Sequence, residues 1–487
     1  MARRALQAAE TQNGGGSRNP SAIVIGAGPA GAAAALALAR TRRWDVRVFE
    51  RRMEAWEASA HPSSWNVTLT RRAFDTLEEL GIDITALREQ GTRLQSRVIL
   101  GSAGSAPTTA PMQFDNLNLA TWRIAEPLVA EARRETVEFE FGCECLGIRQ
   151  DQQHDYDGGT NAQVRILNEH GEVRVYVADL VVGADGANSA VRMSLTRSSF
   201  GFEVAQDFEG SSQFRSTTIQ LPKHAKLGSD RMADEGVNPS TGQLEQVGDG
   251  LYNIMSRKGK GAVIVSPNHN LSANLVIAES LLHGATEPEE VRRLILHATP
   301  AVAPLVTNEA VLALSACTPL ASKTVGISRY SDGAVVLIGD AAHSMLNNLG
   351  QGANSALEDV RLLVAQLHDI KSKADIPLAL KRFSDSRKRD MDAASTLSKL
   401  AFHVVSSLPR KLDSMLYLIV YKMCQRLPFV TPWQTVVATR PDVSYTAVGR
   451  LRSIQNKAIL LGLGLLFALF AMKVGKVGWP LLVKSLT

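Results

Sequence analysis

The chain has 487 residues, 45% of them hydrophobic and 21% charged, enough to bury a large core in two joined domains. Its net charge of +5 is spread without a like-charge block or an aromatic-basic stripe, so nothing points to nucleic acid as a partner. Four cysteines are too few for a disulfide framework. Cys143 and Cys145, separated by a single residue, have neither a zinc nor a redox spacing.

Residues 1–20 lack a long apolar run, so no secretory signal is visible, and their Asn-Gly-Gly-Gly-Ser stretch predicts a disordered tail. The stretch SAIVIGAGPAGAAAALALAR follows. Ile23-Val24-Ile25 is a β-branched run that reads as a buried parallel strand. From Ala30 to Arg40 the chain is nearly all alanine and leucine, strong helix formers. Between them stand Gly26, Gly28, Ala30 and Gly31. In that setting Gly26 permits a tight turn, Gly28 lets backbone approach a pyrophosphate, and Gly31 lets the helix pack on the strand. The free N–H groups at the helix start then face phosphate oxygens.

A second strand, WDVRVFE, ends on Glu50, about twenty residues past the last glycine, where a carboxylate can accept hydrogen bonds from a ribose. Arg51 and Arg52 follow; they either hold the adenosine end of the ligand or are simply solvated. Asn66, Thr68 and Arg71 lie in HPSSWNVTLTRRAFDTLEELGI, which reads as a strand and then a helix. Further on, DLVVGADGANSAVR runs an apolar strand into Asp185 and Gly186. GAVVLIGDAAHSMLNNLGQGANSALEDVRLL repeats the pattern with Asp340, then Gly350 and Gly352, then a helix containing Ala353 and Asn354. No second strand–GxGxxG–helix unit occurs.

These three motifs, in this order, resemble the fingerprints of the FAD-dependent aromatic hydroxylases, the group A flavoprotein monooxygenases. The resemblance implies that the first motif holds the ADP half of FAD, that Asp185 and Gly186 lie near the pyrophosphate, and that Asp340 meets the flavin ribityl chain. The neutral Gly350–Gly352 loop and the helix after it would stabilise negative charge on the reduced flavin ring. Arg123 matches an arginine that family members place against FAD, and Leu146 a position whose backbone touches the adenine half. NADPH or NADH, having no dedicated fold here, would be a transient electron donor.

Within that family the Asn66–Arg71 segment and the C-terminal PDVSYTAVGRLRSIQNKAILL are most similar to the kynurenine 3-monooxygenases. The resemblance implies hydroxylation of a small aromatic substrate by oxygen through a flavin peroxide, with Arg97 on the substrate carboxylate. Three departures predict a different substrate preference: Pro111-Met112 stands where a tyrosine is expected, Asn347 and Asn348 occupy the flavin loop, and Ala401 replaces an asparagine. Asn347 and Asn348 thereby become candidate substrate contacts with Arg97. Two alternatives remain open, a membrane-associated FAD-dependent reductase or dehydrogenase of the same fold, and a non-catalytic flavoprotein.

No side-chain acid or base is assigned, because the chemistry is flavin-borne. His343 is expected as a hydrogen-bonded structural residue. His224, His269 and His403 lack ligand spacing, so no metal is expected. Cys145 and Cys317 read as core residues. Ala458–Met472 is an unbroken apolar run flanked by Arg450, Arg452 and Lys457 before it and Lys473 and Lys476 after it. It predicts a short tail anchor with the catalytic part facing the cytosol, at the mitochondrial outer membrane by the resemblance; a buried core helix is the alternative.

The expected fold is α/β: a Rossmann-type FAD-binding domain over 21–200 and 326–399, with some substrate-domain strands near 95–120. An interleaved mixed-sheet substrate domain is expected over 201–325, a helical C-terminal extension over 400–456 and a membrane helix within 457–480.

Overall fold

The computed structural model describes residues 19–55, 66–100, 108–112, 114–150, 160–207, 213–220, 250–255, 262–268, 272–321, 323–401, 431–462 and 464–465. The tail 1–18, most of the expected helices between 400 and 432, and the apolar run beyond 465 lie outside them.

The first strand, Ser21–Ile25, is the hub of a six-stranded sheet. It pairs in parallel with Asp45–Glu50 on one side and Leu180–Gly183 on the other. Glu138–Phe141 extends the first side, and Val335–Leu337 and Ser331–Asp332 the second. The chain thus leaves the central strand in opposite directions, and a crevice opens at the carboxyl ends of the strands, as at the switch point of nucleotide-binding sheets. Helix Pro29–Arg40 is buried without interruption from Gly31 to Ala39. It packs between helices Thr121–Arg134 and Gly352–His368. Small alanines let it approach both closely.

Strands Glu144–Gln150, Ala162–Leu167 and Val173–Ala178 form a separate antiparallel sheet that packs on helix Ala190–Ser198. A seven-stranded sheet carries a second core. Its order runs Leu320–Ala321, Gln213–Gln220, Ser272–Ala278, Ala262–Asn268, Gly250–Met255, Ser96–Leu100, Thr108–Pro111. One face, with Val98, Tyr252, Val265 and Leu275, packs against helices Pro288–Ala298 and Asn308–Ala316. Ser96–Leu100 and Thr108–Pro111 reach this sheet from between strands and helices of the cofactor side, so the two sheets interleave along the chain. The boundary expected at 201 and 325 falls in a short ribbon, where Val204–Asp207 pairs with Thr324–Ile327.

Arg71, the arginine singled out on the helix Arg71–Glu79, lies at the surface with Asp75 and Glu78. Its neighbour Arg72 is the buried one, at 2% exposure. Arg72 pairs with Glu358 at 2.7 Å and lies over the Tyr445 ring, 4.3 Å from its centre. It donates to the carbonyls of Val437, Arg440, Pro441 and Val443. One guanidinium thus gathers four carbonyls of the C-terminal extension, including helix Trp433–Thr439, onto the body. Cys145 is buried, but Cys317 is only half-buried. Among the described residues no helix is long and apolar enough to cross a membrane.

Removing one partner of a buried ion pair leaves the other charge uncompensated. Arg72→Ala should cost about 3–5 kcal/mol in chemical denaturation. Arg71→Ala, at the surface, should change stability by less than about 0.5 kcal/mol.

Candidate functional site

The glycine turn after Ser21–Ile25 is built by contacts that only glycine permits. Gly26 has φ +100°, and a Cβ there would lie 2.5 Å from the Ala184 carbonyl oxygen. A Cβ on Gly31 would lie 1.9 Å from the Gly26 carbonyl oxygen. Gly28 differs: a Cβ on it would meet nothing within 4 Å. The protein's own packing does not need glycine there, and the open space over the turn fits the approach of a diphosphate. Helix Pro29–Arg40 begins at this turn with no acidic residue in its first turn, which leaves its positive end uncompensated.

Glu50 stands at the strand end as expected, and its carboxylate is already fixed. It accepts from the Ala27 N–H and the Arg52 N–H, each at 2.8 Å. The side chains of Arg51 and Arg52 are exposed. Leu146 is exposed at 42%, beside a bulge between Cys145 and Gly147. Burial pushes the Cys145 thiol up to about 12, so it carries no thiolate at neutral pH.

The second motif meets the first at Ala184, whose Cβ is 3.3 Å from where a Gly31 Cβ would be. Asp185 Oδ2 accepts from the N–H groups of Ala190 and Val191 at 2.6 and 3.2 Å. Its Oδ1 is buried with no hydrogen-bond partner. Desolvation raises the carboxyl above the ordinary aspartate range, against the hydrogen bonds that lower it. Gly186 follows with φ +75°.

Arg192, 1% exposed, was not anticipated. It donates to Ala187 O at 2.6 Å and Ala341 O at 2.8 Å, and so ties the second motif to the third. Its basic character falls through desolvation, while Asp185 and Asp340 work in the opposite direction.

The third motif turns at Gly339, φ +57°, where a Cβ would lie 3.4 Å from Ala30 Cβ. All three motifs therefore converge. Asp340 has an exposed surface, yet the protein crowds its carboxyl and desolvation raises it. Exposure inside such an enclosure marks the wall of a cleft. Gly350 has φ +66°, and a Cβ on either Gly350 or Gly352 would meet nothing within 4 Å. Helix Gly352–His368 has no acidic residue in its first turn, so its N–H groups add positive potential beside the open loop. Ala353 is half-buried there.

Asn354 serves the fold. Fully buried, it donates to Thr68 O and Gly350 O at 2.9 and 2.8 Å. It accepts from the Thr70 N–H and hydroxyl at 2.7 and 3.1 Å. Its side chain has no capacity left for a cofactor. Gln351 accepts from the Tyr445 hydroxyl at 2.9 Å, which brings the C-terminal extension to the same loop. His343 is buried on Asp359 at 2.6 Å, the structural role expected.

The remaining candidates stand around this centre. Thr68 hydroxyl lies 3.4 Å from Asn118 Oδ1, and Asn118 donates to Ser266 at 2.8 Å. That chain of contacts links the cofactor loop to the seven-stranded sheet. Arg97 is half-buried on the same sheet. Arg123 lies over the Trp122 ring and donates to Gln90 at 3.2 Å. Asn347 is exposed in the turn Asn347–Leu349; Asn348 lies in the same turn, and its side chain is outside the described residues. No cluster among the described residues could hold a metal ion.

The open space at Gly28 gives a sharp contrast. Gly28→Val should fold normally but lose most of its FAD, read as flavin absorbance per chain after gel filtration. Gly31→Ala strikes backbone and should fail to fold. A buried carboxyl with a raised pKa destabilises the native state once ionised, so its stabilising protonated form is lost as pH rises. Asp340→Asn should accordingly bind FAD more weakly while its apoprotein melts higher than the parent at pH 7.5. That advantage should shrink as pH falls toward about 4.

Residues 20–395 match the FAD binding domain family. The kynurenine 3-monooxygenase of Candida albicans is 24% identical, over 91% of this chain and 93% of that one. Violacein synthase of Chromobacterium violaceum is 26% identical, over 79% and 86%. Among solved structures, 2-methyl-3-hydroxypyridine-5-carboxylic acid oxygenase superposes with a TM-score of 0.60 at 20% identity, over 82% of this chain and 97% of that one. PqsL of P. aeruginosa, solved with 2-aminobenzoylacetate, gives 0.57 at 20% identity, over 79% and 95%. These two show the fold alone. With the match over most of its length and the convergence of the three motifs, the chain belongs to the FAD binding domain family and is an FAD-dependent monooxygenase of the aromatic hydroxylase type.

Proposed function

We propose that the protein hydroxylates a small aromatic acid, using FAD, oxygen and electrons from NADPH or NADH. The observation that carries this is the facing of two surfaces. Three motifs converge on one cleft, and Asn118 joins that cleft to the face of the seven-stranded sheet that bears Arg97. When bound, FAD would take a hydride from the nicotinamide and transfer one atom of O2 to the ring, the other leaving as water.

The chain's residues would bind, orient and shield. The turn at Gly26–Gly31 and the positive end of its helix would hold the diphosphate, and the Glu50 carboxylate stands where a ribose can donate to it. Asp340, its carboxyl raised by desolvation, would meet the polyol chain. The start of helix Gly352–His368 would stabilise negative charge on the ring. Arg97 supplies a cation for a substrate carboxylate.

The relatives support an aryl acid: one group acts on kynurenine, and PqsL was solved with 2-aminobenzoylacetate, both aminobenzoyl carboxylic acids. The replacements at Pro111-Met112 and Asn347-Asn348 change the polar groups a substrate must satisfy, and a mismatched polar group can cost about 2 kcal/mol or more.

The test is NADPH oxidation, oxygen uptake and product mass with a panel of aromatic acids. A stimulated rate with a product heavier by one oxygen is expected, with kynurenine turned over more slowly than the best panel member. NADPH oxidation that yields a reduced or dehydrogenated product would favour the reductase reading. Flavin binding without any turnover would favour the non-catalytic one.

A further inference from the structure

The seven-stranded sheet has two unlike faces. Val98, Tyr252 and Val265 turn to the helices. Tyr252 is paired with Val265, and Leu251 with Arg97. Period-two alternation therefore puts Arg97, Leu251 and Ser266 on the other face, the one Asn118 meets. Asn253, two residues beyond Leu251, lies on that face too, aligned with Ile264 and Ile99. It is the diagonal neighbour of Arg97, roughly 7–8 Å away, a gap a long side chain can close.

Asn253 is 2% exposed, and its amide nitrogen has no hydrogen-bond acceptor. A buried donor without an acceptor costs about 1–3 kcal/mol. A strand flanked by Ile264 and Ile99 would accept a leucine there without that penalty. Ser266, Asn274 and Val276 on the same face are buried, whereas Arg97, Leu251 and Ile264 next to Asn253 are only half-buried, so the face is covered on one side and less tightly packed toward Arg97. A cation and an orphan donor thus stand side by side.

We propose that Asn253 and Arg97 together read the carboxylate of the aromatic substrate, one oxygen on the guanidinium and the other on the Asn253 amide. This rests on the hydroxylase reading above and adds a specificity-determining residue to it. Arg97 supplies charge. Asn253 supplies direction, so the pair discriminates a carboxylate from a neutral ketone. Asn253 would take over the second hydrogen bond at a site where Pro111-Met112 offers none from a tyrosine hydroxyl.

The experiment titrates the FAD-loaded full chain with two probes, 2-aminobenzoylacetate and 2-aminoacetophenone, which keeps the aryl ketone but lacks the carboxylate. Binding is read from the perturbed flavin absorbance. The parent should bind the acid at least tenfold more tightly than the ketone. Asn253→Leu should lose about tenfold for the acid and little for the ketone, with FAD content unchanged and thermal midpoint equal or higher. Asn253→Asp, which puts a negative charge against the carboxylate, should lose more. Equal affinity of parent and Asn253→Leu for the acid, an equal loss for both probes, or no preference of the parent for the acid would each overturn the proposal. Loss of the hydroxylase reading would appear elsewhere, as absent FAD or absent NADPH-driven flavin reduction in the parent.

Discussion

The carboxylate of Asp359 holds the cofactor side of the molecule together. It accepts from the Gly339 N–H at 2.7 Å, from His343 at 2.6 Å and from Arg387 at 2.6 Å. Burial pushes its pKa up, but the charges of His343 and Arg387 outweigh that and hold it below the usual aspartate range. The left-handed turn at Gly339 depends on this acceptor, and Asp340 depends on that turn. Arg387 also reaches Glu358 at 2.8 Å, and Glu358 holds Arg72, which gathers the C-terminal carbonyls. The third motif, the long helix Ile376–Ala401 and the C-terminal extension therefore share one ionic network. Removing any member would leave a buried charge unpaired, the costly case for a desolvated network.

Behind the cleft the charges are paired with one another; on its wall two carboxyls are desolvated instead. Asp185 and Asp340 have raised carboxyls, and Asp185 Oδ1 lacks a partner. Gly28, Gly350 and Gly352 sit beneath empty space. The desolvated carboxyls carry a cost of their own, and all of these features suit a bound polyol and diphosphate. The network around Asp359 supplies the rigidity that lets such an unsatisfied surface persist.

The nucleotide turn was readable from the sequence because its requirements are local: a strand, three glycines, a helix and an acid within thirty or so residues fix one geometry. The Asp185 and Asp340 turns were readable for the same reason. Arg72 was not, although its place on one helical face with Thr76 hinted at burial. What Arg72 holds lies up to 371 positions away in sequence, and no local spacing encodes that. The packing role of the Asn354 side chain was equally hidden. Its four hydrogen bonds within the protein became visible only once Thr68 and Thr70 were beside it. The three-stranded antiparallel sheet over 144–178 went unpredicted, since alternating strands within a nucleotide domain carry no signal for where they dock.

The two hydrophobic clusters share no residue. Among the described residues, the hydrogen bond from Asn118 to Ser266 joins the strand Leu117–Ala120, which belongs to the cofactor side, to the sheet of the second core. A polar contact of this kind fixes register without the adhesion of a shared apolar core. Asn118 is connected through Thr68 to Asn354, and so to the loop at Gly350. A substrate bound at Arg97 and Asn253, as proposed, would thus act on the same polar chain that holds the loop at Gly350. The interleaving of strand Ser96–Leu100 into the second sheet places Arg97 one strand from Gly250–Met255. The order of chain crossings therefore sets which side chains share the face that Asn118 meets.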